Sequence, residues 1–369
     1  MARRRIGIAY STKQGLLQKA DMLSVPKKVF IEEGLENSPV TVRARTVAPR
    51  AEVRNFRALA ELSAELERLP AEQAKECLVI ARRAGGFVKE FPSGPGMRPS
   101  GWQYFIPAIG CPADCRYCFL QTYHTANAPV VFADQDALLA EIETKSRQIG
   151  GGYFYGGELC DDLMLERFAG LLPPLIELFR RLPDATLEIR TKSDEIGPLL
   201  RVGGARNVVV SWTFTPDEYA RQLERGAATI AARVQAAAAT EKAGFRVGVR
   251  LDPLILTGNW QGAYMELVDE LTHSLDPRMV ESVHLGGLRF TSSLKAAVSE
   301  RFGPQEPFCG EFVKCCDGKL RYPRPLRAAA YAWIAKRLKA WDEALNIRLC
   351  METPQVEADF RRIGGAVAD

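Results

Sequence analysis

Within "IGCPADCRYCFLQTY" (Ile109 to Tyr123), Cys111, Cys115 and Cys118 fall inside eight residues. Thiols so close together in a chain without an evident export signal point to metal or redox chemistry rather than to disulfides. A structural zinc site needs four protein ligands, usually as two separated CxxC pairs. Here the spacing is C-x3-C-x2-C, and the only nearby fourth ligand is His124. Iron–sulfur clusters are also held by thiolates, four for a complete cubane. Three thiolates leave one iron open to a small molecule, so the spacing favours a cluster with a vacant coordination site.

C-x3-C-x2-C with an aromatic on each side of the third Cys, Tyr117 and Phe119, resembles the signature of the radical S-adenosylmethionine (SAM) superfamily. That resemblance implies a 4Fe-4S cluster on Cys111, Cys115 and Cys118, with SAM on the open iron. "YFYGGELCDD" adds Gly156, Gly157 and Glu158 at the end of an expected strand and resembles the superfamily's GGE motif, which holds the SAM amine. Glycines admit close backbone approach, and a carboxylate accepts from an ammonium. "EIRTKS" supplies Thr191 and Lys192, the latter a point charge for the SAM carboxylate. "VVSWTF" supplies Ser211 and Thr213, two residues apart and so on one strand face.

The elements that must carry these residues alternate. Strands are expected in "WQYFIPAIG", "GGYFYGGE", "TLEIRTK", "NVVVSWTFT", "FRVGVRLDPLIL" and "ESVHLGGLRF", separated by helical stretches such as "DQDALLAEIETKSRQI", "LMLERFAGLLPPLIELFRRL" and "YARQLERGAATIAARVQAAAATEKAG". Strand-then-helix units in succession imply a parallel sheet with crossover helices, and chemistry at the strands' carboxyl ends. Six units are too few for a closed eight-stranded barrel. The expected fold is α/β: an incomplete (β/α)6 radical SAM barrel over 96–303, an N-terminal α/β extension over 1–95, and a small C-terminal region over 304–369, a hairpin-like segment followed by a helix. "FPSGPGMRPSG" (Phe91 to Gly101) reads as the boundary loop, with three Pro and three Gly in eleven residues.

Bulk properties narrow the class. The 369 residues are 47% apolar and 25% charged, with net charge +4, an ordinary globular balance. No apolar run is long enough to span a bilayer, and the basic N-terminus lacks the apolar core of a secretion signal, so a cytoplasmic protein without a membrane partner is expected. The charge permits a polyanionic partner without demanding one.

The fuller sequence resembles the spore photoproduct lyase family. "LVIARRAGGFVKEFPSGPGMRPSGWQYFIPAIGCPADCRYCFLQTYH" carries the resemblance most specifically, joined by "VFIEEGLENSP", "RTKSDEI", "NVVVSWTFTP", "EKAGFRVGVRLDPLILTGNWQGAY" and "LRFT". It extends over about residues 28–350. The resemblance implies a radical SAM lyase that reverses a UV-induced thymine–thymine cross-link in damaged DNA, acting on a lesion turned out of the duplex. It also implies an electron donor such as flavodoxin or ferredoxin. The family's DNA-holding hairpin would here be "KLRYPRPLR", with Lys319, Arg321, Tyr322, Arg324 and Arg327 on the nucleic acid.

The chain departs from the family on the hydrogen-return path. A Cys follows the second strand in the spore enzymes; here Glu158 takes that place and Cys160 lies two residues on. Phe119 follows the third cluster Cys where the family has Tyr. Tyr117 and Cys160 are therefore the expected catalytic pair. The departures leave room for a radical SAM enzyme on another substrate (RNA, a peptide or a metabolite). A zinc- or cluster-bearing nucleic-acid-binding protein is the non-enzymatic alternative. Cys309, Cys315 and Cys316 are candidates for a second cluster or a redox relay. Asp252 and Arg289 are candidate SAM or substrate contacts, whereas Cys77, Cys350, His273 and His284 read as structural.

Overall fold

A computed structural model describes residues 25–92, 101–123 and 128–364. The N-terminal tail, most of the Phe91–Gly101 loop, and His124 lie outside the described residues.

Seven strands run parallel and in chain order: β1 (Gln103–Phe105), β2 (Gly152–Tyr155), β3 (Ala185–Thr191), β4 (Val208–Thr213), β5 (Arg246–Leu254), β6 (Val280–Gly287) and β7 (Ile347–Leu349). The first six are the strands expected from the apolar runs, and the α/β fold is as expected. β7 pairs in parallel with β6 and widens the sheet from the C-terminal side. Val88–Glu90 pairs antiparallel with β1 at the opposite edge. Side chains of the last and first parallel strands meet across the sheet's curve: the Arg348 guanidinium of β7 lies 5.6 Å from the Trp102 ring centre, just before β1.

A second sheet, in the order Glu52–Phe56, Lys28–Glu32, Cys77–Ala81, Val130–Phe132 and Ala108–Ile109, abuts the first. Its last two strands flank the cysteine loop in the chain, so this sheet anchors both ends of that loop. One apolar core joins the two sheets, running from Val29 and Ile80 through Phe105, Phe154 and Ile189 to Leu285 and Phe360. Burial of such side chains, about 1.5–3 kcal/mol each, is what holds the two units as one body.

Two stretches expected as continuous helices are broken. "LMLERFAGLLPPLIELFRRL" forms Glu166–Ala169 and Leu172–Arg180, because Gly170 turns left-handed (φ 63°) and Pro173 and Pro174 restart the helix at its first turn. "YARQLERGAATIAARVQAAAATEKAG" forms Asp217–Leu223 and Ile230–Lys242, with Glu224–Arg225 extended between them. Their ladder partners lie in the cysteine loop: Glu224 pairs with Cys115 and Arg225 with Asp114. Among the described residues no helix is long and apolar enough to cross a membrane.

Candidate radical SAM site

The cysteine loop leaves the second sheet at Gly110, where φ is +78° and a Cβ would press on the Ala128 carbonyl. Gly110 N donates to Leu159 O (2.8 Å), which sets this loop beside the one after β2. Arg116 N donates to Leu223 O, and Cys118 N closes a turn on Cys115 O. Two side-chain clamps complete the hold. Lys75 Nζ donates to the carbonyls of Cys111 (2.7 Å) and Ala113 (3.0 Å). Arg301 grips Asp114 with two nitrogens and also binds Glu72 and Gln121.

The three thiols gather with Ala113, Met164 and Ala227 in one small apolar pocket. Burial pushes the Cys111 thiol up to about 12, and those of Cys115 and Cys118 above their ordinary range. Such thiols ionise only when a cation takes the proton's place, as the irons of a cluster do. Zinc would draw thiolates to about 3.8 Å from one another, given Zn–S bonds of about 2.3 Å in a tetrahedron. Among the described residues no three His, Cys, Asp or Glu are grouped to hold a single metal ion. Three thiolates are the ligand number of a cluster with one open iron, whereas a structural zinc site takes four protein ligands.

Lys192 reaches this pocket from the end of β3. Its ammonium lies 5.7 Å from the Tyr117 ring centre and makes no hydrogen bond or salt bridge among the described residues. Burial works to lower its pKa, but Glu224, Cys115 and Cys118 outweigh it, and it stays charged. A cation so placed fits a carboxylate ligand beside the cluster.

The loop after β2 is shaped by Asp161 and Asp162, neither of which its sequence pattern singled out. A Cβ on Gly156 would lie against the Asp162 carboxylate, and one on Gly157, where φ is +64°, would meet it at 3.0 Å. The two glycines are thus required by the protein's own packing. Asp161 accepts from Thr191 Oγ1 (2.8 Å) and Lys192 N (2.7 Å), so Thr191 positions the loop with its hydroxyl turned to Asp161. Glu158 forms an ion pair with Arg190 at 3.0 Å. Ser211 and Thr213 face the barrel interior: Ser211 stands between Arg190 and Gly248 in register, and Thr213 beside Arg250. A Cβ on Gly248 would collide with the Ser211 hydroxyl, which explains the glycine.

Beyond them the interior is closed by charge. Glu188 binds Arg250 (3.2 Å), Arg190 (3.4 Å) and the Tyr153 hydroxyl (3.1 Å). Asp252 takes two bonds from Arg289, and both Arg250 and Arg289 reach Cys350 Sγ at 3.7 Å. Burial works against ionising Asp252, but Arg289 overcomes it and holds the carboxyl well below its usual range. Asp252, two residues past Arg250, and Arg289, just past β6, put this pair at the strands' carboxyl ends.

Comparison with known proteins bears on this arrangement. The model of the spore photoproduct lyase family matches residues 22–307, more than half of the chain. The chain belongs to the spore photoproduct lyase family. Spore photoproduct lyase of Clostridium acetobutylicum is 26% identical over 212 residues, 56% of this chain and 62% of that one. The Bacillus subtilis enzyme is 23% identical over 286 residues, 76% of this chain and 79% of its own. A solved structure of a spore photoproduct lyase mutant with bound AdoMet and dinucleoside spore photoproduct superposes with a TM-score of 0.74 at 18% identity, over 88% of this chain and 98% of that one. The family is one of radical SAM lyases, which use a 4Fe-4S cluster and SAM.

Within this family frame, Cys160 lies one residue past Leu159, the carbonyl partner of Gly110, and next to Cys111 electrostatically. Its thiol is buried against Phe105, Leu165 and Ile189 and is pushed up by that burial. Tyr117 donates to Glu224, a buried carboxylate that also binds Thr215 and Arg233. Glu224 and Arg233 had no local signal, since their stretch reads as uninterrupted helix.

The expected DNA-holding hairpin needs correction. Val313–Lys314 and Leu320–Arg321 do pair, and Arg289–Phe290 adds a third strand. Arg321 is 3% exposed and gripped by Asp317; Arg327, also 3% exposed, pairs with Glu352. Tyr322 is stacked under Phe312, and its buried hydroxyl oxygen accepts from Leu256 N. Asp317 and Glu352 give the two guanidiniums nearer partners than a phosphate, and Tyr322 is buried in the packing. Lys319 and Arg324 keep solvent-facing charge, paired with Asp317 and Asp359. Cys309 and Cys316 are exposed, and Cys315 half-buried beside them in the chain.

Proposed function

We propose that this chain is a spore photoproduct lyase, a radical SAM enzyme that restores two thymines from their UV-induced cross-link in DNA. The observation that carries the reading is the convergence of Cys111, Cys115 and Cys118 with Lys192 at the barrel mouth, in a chain whose residues 22–307 match the family. A reduced cluster on the three thiolates would supply the electron that splits SAM into methionine and a 5′-deoxyadenosyl radical.

The chain's own residues do the rest. Lys75, Arg301 and the Glu224–Arg225 strap hold the ligand loop rigid. Lys192 orients the SAM carboxylate, and Glu158, steadied by Arg190, receives its ammonium. Ser211 and Thr213 line the wall where the ribose would lie. Glu188 and Arg250 pair in the interior, and the Asp252–Arg289 pair sits at the strands' carboxyl ends, beside the place for the reacting base. Cys160, beside the cluster loop, would give a hydrogen atom to the product thymine radical; Tyr117 would restore the Cys160 thiol, and 5′-deoxyadenosine would return the hydrogen atom to Tyr117. Lys319 and Arg324 meet the phosphates. A small acidic electron carrier such as flavodoxin or ferredoxin supplies reducing equivalents.

The reading is tested by reconstituting the protein anaerobically with iron and sulfide, then adding SAM and dithionite. About four irons per chain and formation of 5′-deoxyadenosine are expected. Changing any of Cys111, Cys115 or Cys118 to Ala should abolish both. Stoichiometric zinc in place of iron, or SAM cleavage that survives those changes, would refute it.

A further inference from the structure

The N-terminal unit reaches the cysteine loop directly through a cation. Lys75, the last residue of the helix Ala71–Lys75, lies 36 residues before Cys111 in sequence yet donates to the Cys111 and Ala113 carbonyls at 2.7 and 3.0 Å. It is half-buried, where charge is poorly screened. Asp114 pairs with Arg301, which also takes Glu72 of the same helix as Lys75. Lys75 is thus the cation that binds the backbone of the first cluster ligand directly.

We infer that Lys75 is a positioning and tuning residue: the N-terminal unit uses it to fix the ligand loop and to raise the reduction potential of the cluster. The physical reason is simple. Reduction adds one negative charge to the cluster, and a fixed ammonium within hydrogen-bonding reach of its ligand backbone stabilises that state more than the oxidised one. The inference rests on the cluster occupying Cys111, Cys115 and Cys118.

The experiment is a redox titration of the reconstituted full-length protein, without SAM, followed by electron paramagnetic resonance and paired with an iron count. Lys75→Met should lower the midpoint potential by an amount equal to about a tenfold fall in the reduced-to-oxidised ratio, about 59 mV for a one-electron couple. Lys75→Arg, which keeps the charge, should restore most of it. Should K75M take up no cluster, Lys75→Gln keeps a donor without charge and is expected to show the same fall. An unchanged potential in the neutral variants, or an equal fall in K75R, overturns the inference. A wild-type protein that binds no iron overturns it together with the cluster assignment, and the iron count tells the two failures apart.

Discussion

Tyr117 donates its phenolic hydrogen bond to Glu224, whose side chain has no exposed surface and whose other oxygen pairs with Arg233 at 2.6 Å. The aromatic beside the third cluster ligand is thus tied to an acid 107 residues away. Burial works to keep Glu224 protonated, yet Arg233 and Lys192 outweigh it and hold the carboxyl below its usual range. Glu224→Ala would leave Arg233 buried and unpaired, a loss of about 3–5 kcal/mol. The double change E224A/R233M should lose less than E224A alone. Denaturant unfolding of the three proteins measures this, and an E224A midpoint equal to wild type would show that the pair is not structural.

Lys192 is assigned to the SAM carboxylate. A charge-assisted hydrogen bond contributes about 1.5–3 kcal/mol, so Lys192→Ala should weaken SAM binding about 10- to 100-fold at unchanged iron content. Lys192→Arg should recover only part, because a planar guanidinium is not a point charge. Equilibrium dialysis with labelled SAM reads the effect directly. Unchanged affinity in K192A would remove this residue from the cofactor site.

Glu166 gives the fold a pH signature. Burial pushes its carboxyl up to about 7, against the Leu171 and Leu172 N–H groups that pull it down. The folded state therefore keeps a proton that the unfolded chain releases near its model value of 4.5. Its stabilising contribution is complete below that value and is lost as pH rises through about 7. Between pH 5 and pH 8 the wild type should lose on the order of 2–3 kcal/mol more than Glu166→Gln. Parallel thermal or denaturant midpoints across that range would contradict the assignment.

On the nucleic-acid side, Lys319→Ala and Arg324→Ala should each weaken DNA binding across sequences and reduce the salt slope by about one unit. Arg327→Ala should act differently. It leaves Glu352 buried without its cation and is expected to cost about 3–5 kcal/mol of stability. Salt-dependent binding curves beside unfolding curves separate the two kinds of loss. A folded R327A protein with weakened DNA binding would return that residue to the interface.

The six barrel strands and the glycine turn after β2 were legible because each is a local pattern, alternating β-branched runs and paired glycines, and the close thiols of Cys111, Cys115 and Cys118 are a local pattern too. The residues that support them were not, because their partners are remote in sequence. Glu224 sits inside a stretch whose composition is helical throughout, and only the backbone of Cys115 draws it into an extended strap. Arg321 and Arg327 look like phosphate ligands in "KLRYPRPLR", until Asp317 and Glu352 turn them inward. Lys75 gave no signal at all, since nothing near it in the chain announces that the loop beginning at Cys111 folds back over it.

The measurement that tests the central claim most directly is repair itself. Reconstituted protein, SAM and dithionite would be incubated anaerobically with an oligonucleotide containing the spore photoproduct, with undamaged DNA as control, and thymines followed by mass spectrometry. The account predicts restored thymines on the damaged strand alone, and their loss together with altered products in Cys160→Ala. Production of 5′-deoxyadenosine with the lesion left intact would contradict it.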